Sequence, residues 1–276
     1  MRNDLLPSDL PLSDEDRSRL SGFLAVTRPM YINGRWTSGS GETQLAVMNP
    51  ADGSELARVW AAGPADVDAA VAAGADAIGL VLYPPSKRYV DAQRAAQLAR
   101  RLPAFVSPVL LFVNAQASEI EAAAAQVPGA WLQFHGDETP TECAHWGQRL
   151  GRRWLRAARI PLGEASPPFD LVKYAQDYSQ ANAVLLDAHV DGYGGGGKAF
   201  HWSRLPTNVN AHLVLSGGLT PANVADGIRD VRHRGLSLAV DVSSGIESAP
   251  GIKDAHLMQT FVAAVRAADL RAAHGD

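Results

Sequence analysis

A single cysteine, Cys143, stands in the 276 residues. One thiol makes neither an internal disulfide nor a Cys-rich zinc site, and the chain reads as suited to a reducing, cytoplasmic setting. Basic excess is missing too: 25 Lys and Arg face 29 Asp and Glu, a formal charge of −4. Nucleic-acid binders normally show the opposite balance, so no nucleic-acid partner is expected. No apolar run approaches the ~20 residues of a membrane span, and no membrane partner is expected. The first twenty residues are acidic and lack the apolar stretch of a secretory signal. The eight histidines are scattered rather than set at paired ligand spacing, so no metal site emerges. What is present is ample apolar residue, 46%, enough for a sizeable core. The length is ordinary for a single α/β barrel.

The pattern changes near residue 64. Residues 1–22 are polar and read as a leader. Residues 30–60 read as β-hairpins, with Asn33-Gly34 as the turn between Tyr31-Ile32 and Arg35-Trp36. Gln44–Met48 and Glu55–Trp60 flank a second turn, Pro50-Ala51-Asp52-Gly53. From Pro64 onward, short apolar runs alternate with helical segments. The predicted strands are Ala77–Leu82, Val109–Val113, Trp131–Phe134, Trp154–Ile160, Ala183–Leu186, Leu213–Leu215 and Leu238–Val242. Near-continuous apolar strands imply burial on both faces, as in a parallel sheet. The predicted helices include Pro64–Ala73, Asp91–Arg101, Ala117–Gln126 with Ser118 as its cap, Thr139–Leu150, Pro168–Tyr178 and Ala255–Ala268. Thr220–Arg229 is predicted to start with a Thr cap and Pro221 at the first helical position. Seven βα units predict a parallel sheet wrapped by helices, one strand short of a (β/α)8 TIM barrel. Two segments compete for the missing first strand, Phe23–Val26 and Leu45–Met48. The domain boundary is expected at 63/64, an N-terminal extension before a barrel.

In a barrel, chemistry stands where strands end. Asp187 follows one strand, and a run of four glycines from Gly194 follows it. A carboxylate at that place suits a general acid or base, and glycine N–H groups can cradle an anion. Ser216-Gly217-Gly218 and Ser243-Ser244-Gly245 follow the last two strands, the usual phosphate site of this architecture. Arg88 offers a fork for a carboxylate in a proline-stiffened loop. His135 is read as lining the site.

These segments resemble one family. GADAIGLVLYPPSKRYV at 74–90, LQFHGDETP at 132–140, LLDAHVDGYGGGGK at 185–198, LSGGLTPANV at 215–224 and VDVSSGIESAPGIKD at 240–254 are similar to phosphoribosylanthranilate isomerase, in order and spacing. The resemblance implies a (β/α)8 barrel of tryptophan biosynthesis that performs an Amadori rearrangement of a phosphoribosylated anthranilate. It implies no cofactor, a small phosphorylated substrate as partner, and a monomer or homodimer. It makes Asp187 the general acid that protonates the ribose ring oxygen. It gives Arg88 the anthranilate carboxylate, and Gly195, Gly218, Ser243 and Ser244 the phosphate. His201 departs from the family's usual Asp before Trp202.

The family's general base is a cysteine on strand one, in a motif like Lys-Ile-Cys-Gly-Leu-Thr, and this chain has no such motif. Cys143 is expected on the fourth helix, outside the barrel mouth. Residues 30–73 instead resemble the N-terminal hairpins of aldehyde dehydrogenases, which carry a Tyr-Ile-Asn-Gly-x-Trp and an Asn-Pro-Ala-x-Gly. A second alignment sets Phe23–Pro29 on the first strand, with Leu24 in the cysteine's place and 30–63 inserted. On either alignment the base is missing. The expectation is an impaired isomerase, with Asp241 or Glu247 as the carboxylates able to substitute. The alternative is a non-catalytic chimera or a phosphate- and anthranilate-binding barrel.

Overall fold

A computed structural model describes residues 63–161, 169–189 and 201–274, with strand backbone at 30–32, 35–37, 44–48 and 55–60. The chain divides into two compact units, 1–65 and 66–276.

The first unit holds two antiparallel hairpins. β1 (Met30–Ile32) pairs with β2 (Arg35–Thr37), Ile32 opposite Arg35, while Asn33-Gly34, the expected turn, lies outside the described residues. β3 (Gln44–Met48) pairs with β4 (Glu55–Trp60). Leu45–Met48 was a candidate for the barrel's first strand; it is corrected here to a hairpin arm, because Leu45 to Met48 are hydrogen-bonded to Val59 through Glu55 in a sheet of two. The other candidate, Phe23–Val26, lies outside the described residues.

The second unit is a parallel sheet with helices between its strands. Its strands are β5 (Ala77–Val81), β6 (Ser107–Phe112), β7 (Trp131–Phe134), β8 (Trp154–Pro161), β9 (Ala183–His189), β10 (His212–Leu215) and β11 (Ser237–Val240). They are hydrogen-bonded in chain order, every pair parallel. The helices are α1 (Pro64–Ala73), α2 (Ala92–Ala99), α3 (Ala117–Gln126), α4 (Pro140–Leu150), α5 (Leu171–Asp177), α6 (Val224–Val231) and α7 (Ala255–His274). A short hairpin, β12 (Glu247–Ala249) with β13 (Ile252–Lys253), follows β11 and was not foreseen. This is the seven-strand portion of the expected barrel; no eighth strand joins the sheet among the described residues.

Local chemistry explains the helix starts. Asp91 caps α2, its Oδ1 accepting from Arg94 N–H at 2.6 Å. Thr139 and Glu142 form a reciprocal box at α4, with Pro140 at the first position. At α3 the cap is Gln116 rather than Ser118: its N–H donates to Glu119 Oε2 at 2.7 Å, a box built two residues earlier. α6 begins at Val224 rather than Thr220. Thr220–Asn223 instead form a turn, closed by Thr220 N–H on Asn223 Oδ1 at 2.8 Å.

Two core clusters flank the sheet. One joins α2, α3 and α4 to β5–β7; the other joins α5, α6 and α7 to β9 and β10. α1 contributes to both, with Val67 on the first and Ala73 on the second. Opposite ends of the sheet are therefore covered by one helix, which requires the sheet to curl.

Candidate functional site

The C-terminal ends of β7 and β9 carry a buried polar trio. Strand alternation puts Gln133 and His135 on the same side of the sheet. Gln133 Nε2 lies 3.1 Å from His135 Nδ1, and His135 Nε2 lies 3.0 Å from Asp187 Oδ2. Asp187 Oδ1 accepts the N–H of Ala188 at 2.9 Å. The three residues are 6–7% exposed. Buried polar groups need partners, and here each supplies the next. Arg156 of β8 fixes the loop around the histidine: its guanidinium donates to the carbonyls of Phe134 and Gly136, both at 2.9 Å. Gly217 lets the turn after β10 come against Asp187. Its φ is +74°, and a Cβ there would stand 2.5 Å from Ala188 N.

A second cluster lies after β11 and reaches the loop after β5. Arg88 donates to Glu247 through Nε at 2.6 Å and Nη2 at 2.7 Å, a bidentate pair. Glu247 also accepts from Lys253 Nζ at 3.0 Å and from Gly251 N–H at 3.2 Å. Burial alone would raise the Glu247 carboxyl; the Arg88 and Lys253 donors outweigh it and hold it below the ordinary range. Burial pushes the Lys253 ammonium down, against the pull of Glu247. Four donors engage Glu247, so this carboxylate anchors the rim and is a weak proton acceptor at neutral pH. The Arg88–Glu247 pair joins segments that follow the first and last strands of the sheet. The sheet's two ends are therefore brought together at its C-terminal rim.

Lys253 Nζ also donates to the carbonyl of Ser243 at 2.8 Å, tying the loop after β11 to this cluster. Ser244–Ile246 make one turn of 3-10 helix. A Cβ on Gly245 would overlap the carbonyl oxygen of Leu219, so the loops after β10 and β11 lie backbone against backbone. Gly218, with φ +68°, is in the first of these loops, and its carbonyl accepts from Asn223 Nδ2 at 3.0 Å. Gly218, Ser243 and Ser244 thus stand on adjoining loops, while Gly195 lies outside the described residues.

Asp241 sits at the end of β11, its Oδ2 accepting from Ser216 Oγ at 2.8 Å. It keeps solvent access from the sheet's edge. Protein packed around the carboxyl, with Asp187 nearby, nevertheless raises it above the usual carboxylate range. Cys143 is elsewhere. It is fully buried on α4 among Phe134, Trp154 and Tyr178, and burial pushes its thiol up to about 12.

Sequence reasoning missed Gln133 and Lys253. A period-2 reading of β7 from His135 backwards finds the first. Lys253 lies inside a motif already recognised, but nothing in spacing shows that it reaches Ser243.

The family profile described as N-(5'-phosphoribosyl)anthranilate isomerase matches residues 57–264. An N-(5'-phosphoribosyl)anthranilate isomerase of Leptothrix cholodnii is 59% identical over 208 residues, 75% of this chain and 89% of that protein. The crystal structure of phosphoribosylanthranilate isomerase from Thermotoga maritima is 34% identical and superposes with a TM-score of 0.64, over 75% of this chain and 96% of that one. A second crystal structure of such an isomerase, in complex with reduced 1-(o-carboxyphenylamino)-1-deoxyribulose 5-phosphate, is 31% identical, with a TM-score of 0.59 over 75% of this chain and 95% of that one. With these matches in extent and identity, the chain belongs to the N-(5'-phosphoribosyl)anthranilate isomerase family.

Proposed function

We propose that this chain is an isomerase-type barrel that binds a phosphorylated anthranilate conjugate but turns it over little or not at all. The observation that carries this is the fate of its one thiol: Cys143 is sealed in the core on α4. A thiol buried on a helix, and pushed up to about 12 by that burial, takes no proton from a sugar. The family resemblance calls for a cysteine on strand one, and no such motif precedes β5.

The binding half of the reaction has its groups. Asp187 is the general acid, delivering a proton to the ribose ring oxygen as the bond to C1 breaks. The electron pair leaves on oxygen, and the anthranilate nitrogen forms the iminium. His135 lines the site beside it. Arg88 takes the anthranilate carboxylate with the guanidinium edge that Glu247 leaves open. Gly195, Gly218, Ser243 and Ser244 take the phosphate through loop N–H groups. Support for these roles is the motif match, together with the closeness of the last two loops. No cofactor enters this scheme. The ligand is a small phosphorylated molecule met in the cytoplasm by a monomer or homodimer; one Thermotoga maritima relative is described as monomers generated from a dimeric isomerase.

Residues 1–63 form the extension and 64–276 the barrel in this reading. The aldehyde-dehydrogenase-like segment 30–73 is a borrowed piece joined within the shared Ala-Asp-Val-Asp-Ala-Ala-Val stretch at 65–71. In the sequence it occupies the stretch ahead of Pro64, where the family resemblance calls for the motif bearing the base.

A second reading keeps turnover and assigns the base to Asp241. Its raised carboxyl near Asp187 favours it over Glu247, whose lone pairs are engaged. The test is to replace residues 1–63 with a strand carrying Lys-Ile-Cys-Gly-Leu-Thr ahead of Pro64. A positioned general base is worth ~10²–10⁴-fold, so kcat should rise by that factor. A chain that binds the reduced product analogue yet gains nothing from the thiol would contradict the proposal.

A further inference from the structure

We infer that Gln133 is a positioning residue for the acid: it holds His135 in the tautomer that leaves the proton of Asp187 free for the ligand. This rests on reading Asp187 as the general acid, and it adds the device that aims its proton.

The logic is one of donors and acceptors. An amide nitrogen only donates, so Gln133 Nε2 at 3.1 Å makes His135 Nδ1 an acceptor. A neutral ring with a bare Nδ1 carries its hydrogen on Nε2. Nε2 therefore donates to Asp187 Oδ2 across 3.0 Å. Ala188 N–H donates to the other oxygen at 2.9 Å. Among the described residues, both groups that hydrogen-bond the carboxyl are then donors. When Asp187 is protonated, its own O–H finds no acceptor in either of them. That hydrogen is left for an oxygen of the ligand.

The opposite arrangement shows what Gln133 prevents. With the amide turned end for end, its oxygen would face Nδ1 and call for a hydrogen there. Nε2 would become an acceptor, and a protonated Asp187 would donate to it. The acid's proton would then be held by the histidine and withheld from the substrate. One amide orientation therefore separates an available acid from an occupied one. Burial at 6–7% exposure keeps water from substituting for any member of the chain.

The test is spectroscopic and needs no turnover. Protein carrying 15N-labelled histidine is examined by long-range 1H–15N correlation at a pH where the ring is neutral. His135→Gln identifies the ring's signals by their loss. The wild-type chain should show the proton on Nε2 and a bare Nδ1. In Gln133→Glu, a carboxylate that only accepts replaces the donor, and Nδ1 should gain a proton. A wild-type ring protonated on Nδ1 would overturn the inference. So would an unchanged bare Nδ1 in a Gln133→Glu chain whose circular dichroism remains native. If that variant does not fold, the wild-type spectrum decides alone. The tautomer is read whether or not Asp187 acts as an acid. An inert Asp187 would appear only in turnover assays, so the two readings fail separately.

Discussion

The middle of the parallel sheet and its two edges are made of the same repeating unit, yet they bury different amounts of themselves. In β7, Leu132 and Phe134 are inaccessible to solvent, and Trp131 and Gln133 on the other face are mostly covered too. In β5 and β11 one face is lost: Ala77, Gly79, Ser237 and Ala239 are exposed, while the alternate residues Ile78, Leu80, Leu238 and Val240 are covered wholly or in part. A Cβ placed on Gly79 would meet nothing within 4 Å. The covered face of each edge is the one the helices pack on. The exposed face is the one a neighbouring strand and the interior layer would fill. What remains of the site follows the same division. Gln133, His135 and Asp187 belong to the well-packed middle. On the proposed function, the missing base would come from a strand between the two edges. The buried trio is held because the middle of the sheet is covered on both faces.

Substitutions can break or sharpen this contrast. Phe134→Ala, in the middle, should cost roughly 3–5 kcal/mol, read from the urea midpoint. A loss below ~1 kcal/mol would mean the centre is no better packed than the edges. Glu247→Gln, which loosens the rim that joins the edges, should cost about 1.5–3 kcal/mol at neutral pH. Its pH dependence has a definite sign. A carboxyl held below its ordinary value confers stability fully above the ordinary Glu value of about 4.3, and loses it as pH falls through the lowered value. The acid limb of the wild-type stability curve should therefore flatten in this variant. An identical limb would show that Glu247 is not charge-paired in solution. The smallest effect is expected at the edge itself. Ala239→Lys should change stability by within about 0.5 kcal/mol and lower light scattering at high concentration, since a charge on an open edge opposes edge-to-edge pairing.

Most of the architecture was legible from sequence, for a physical reason. Strands buried on both faces write continuous apolar runs, and Ser107–Phe112 and Trp131–Phe134 stand where those runs are. The hairpin of Met30–Ile32 with Arg35–Thr37 was equally plain, since Asn-Gly between apolar residues is a strong hairpin signal in a sequence. Helix starts were less so. Thr220-Pro221 has the composition of a cap, but Asn223 bonds back to Thr220 N–H and delays α6 to Val224. Composition cannot show which of two local hydrogen-bond patterns wins. Within the site, strand ends located Asp187 and His135. The partners that orient them were hidden because they come from elsewhere in the chain. Arg88 and Glu247 are 159 residues apart. His135 and Asp187 are 52 apart. Only folding joins them. The barrel's first strand was illegible for a different reason: two segments had the right apolar character, and β3 spends its hydrogen bonds on β4.

The central claim is a pocket with an acid and without a base, and one paired assay tests it most directly. The unaltered chain and Asp187→Asn are each given phosphoribosylanthranilate formed in situ, and loss of substrate fluorescence is followed. Binding of the reduced product analogue is titrated in parallel. The unaltered chain is expected to bind the analogue and to show no turnover above the Asp187→Asn chain. Turnover that the Asp187 substitution abolishes would contradict the claim, and would make Asp241 the first group to examine as the base.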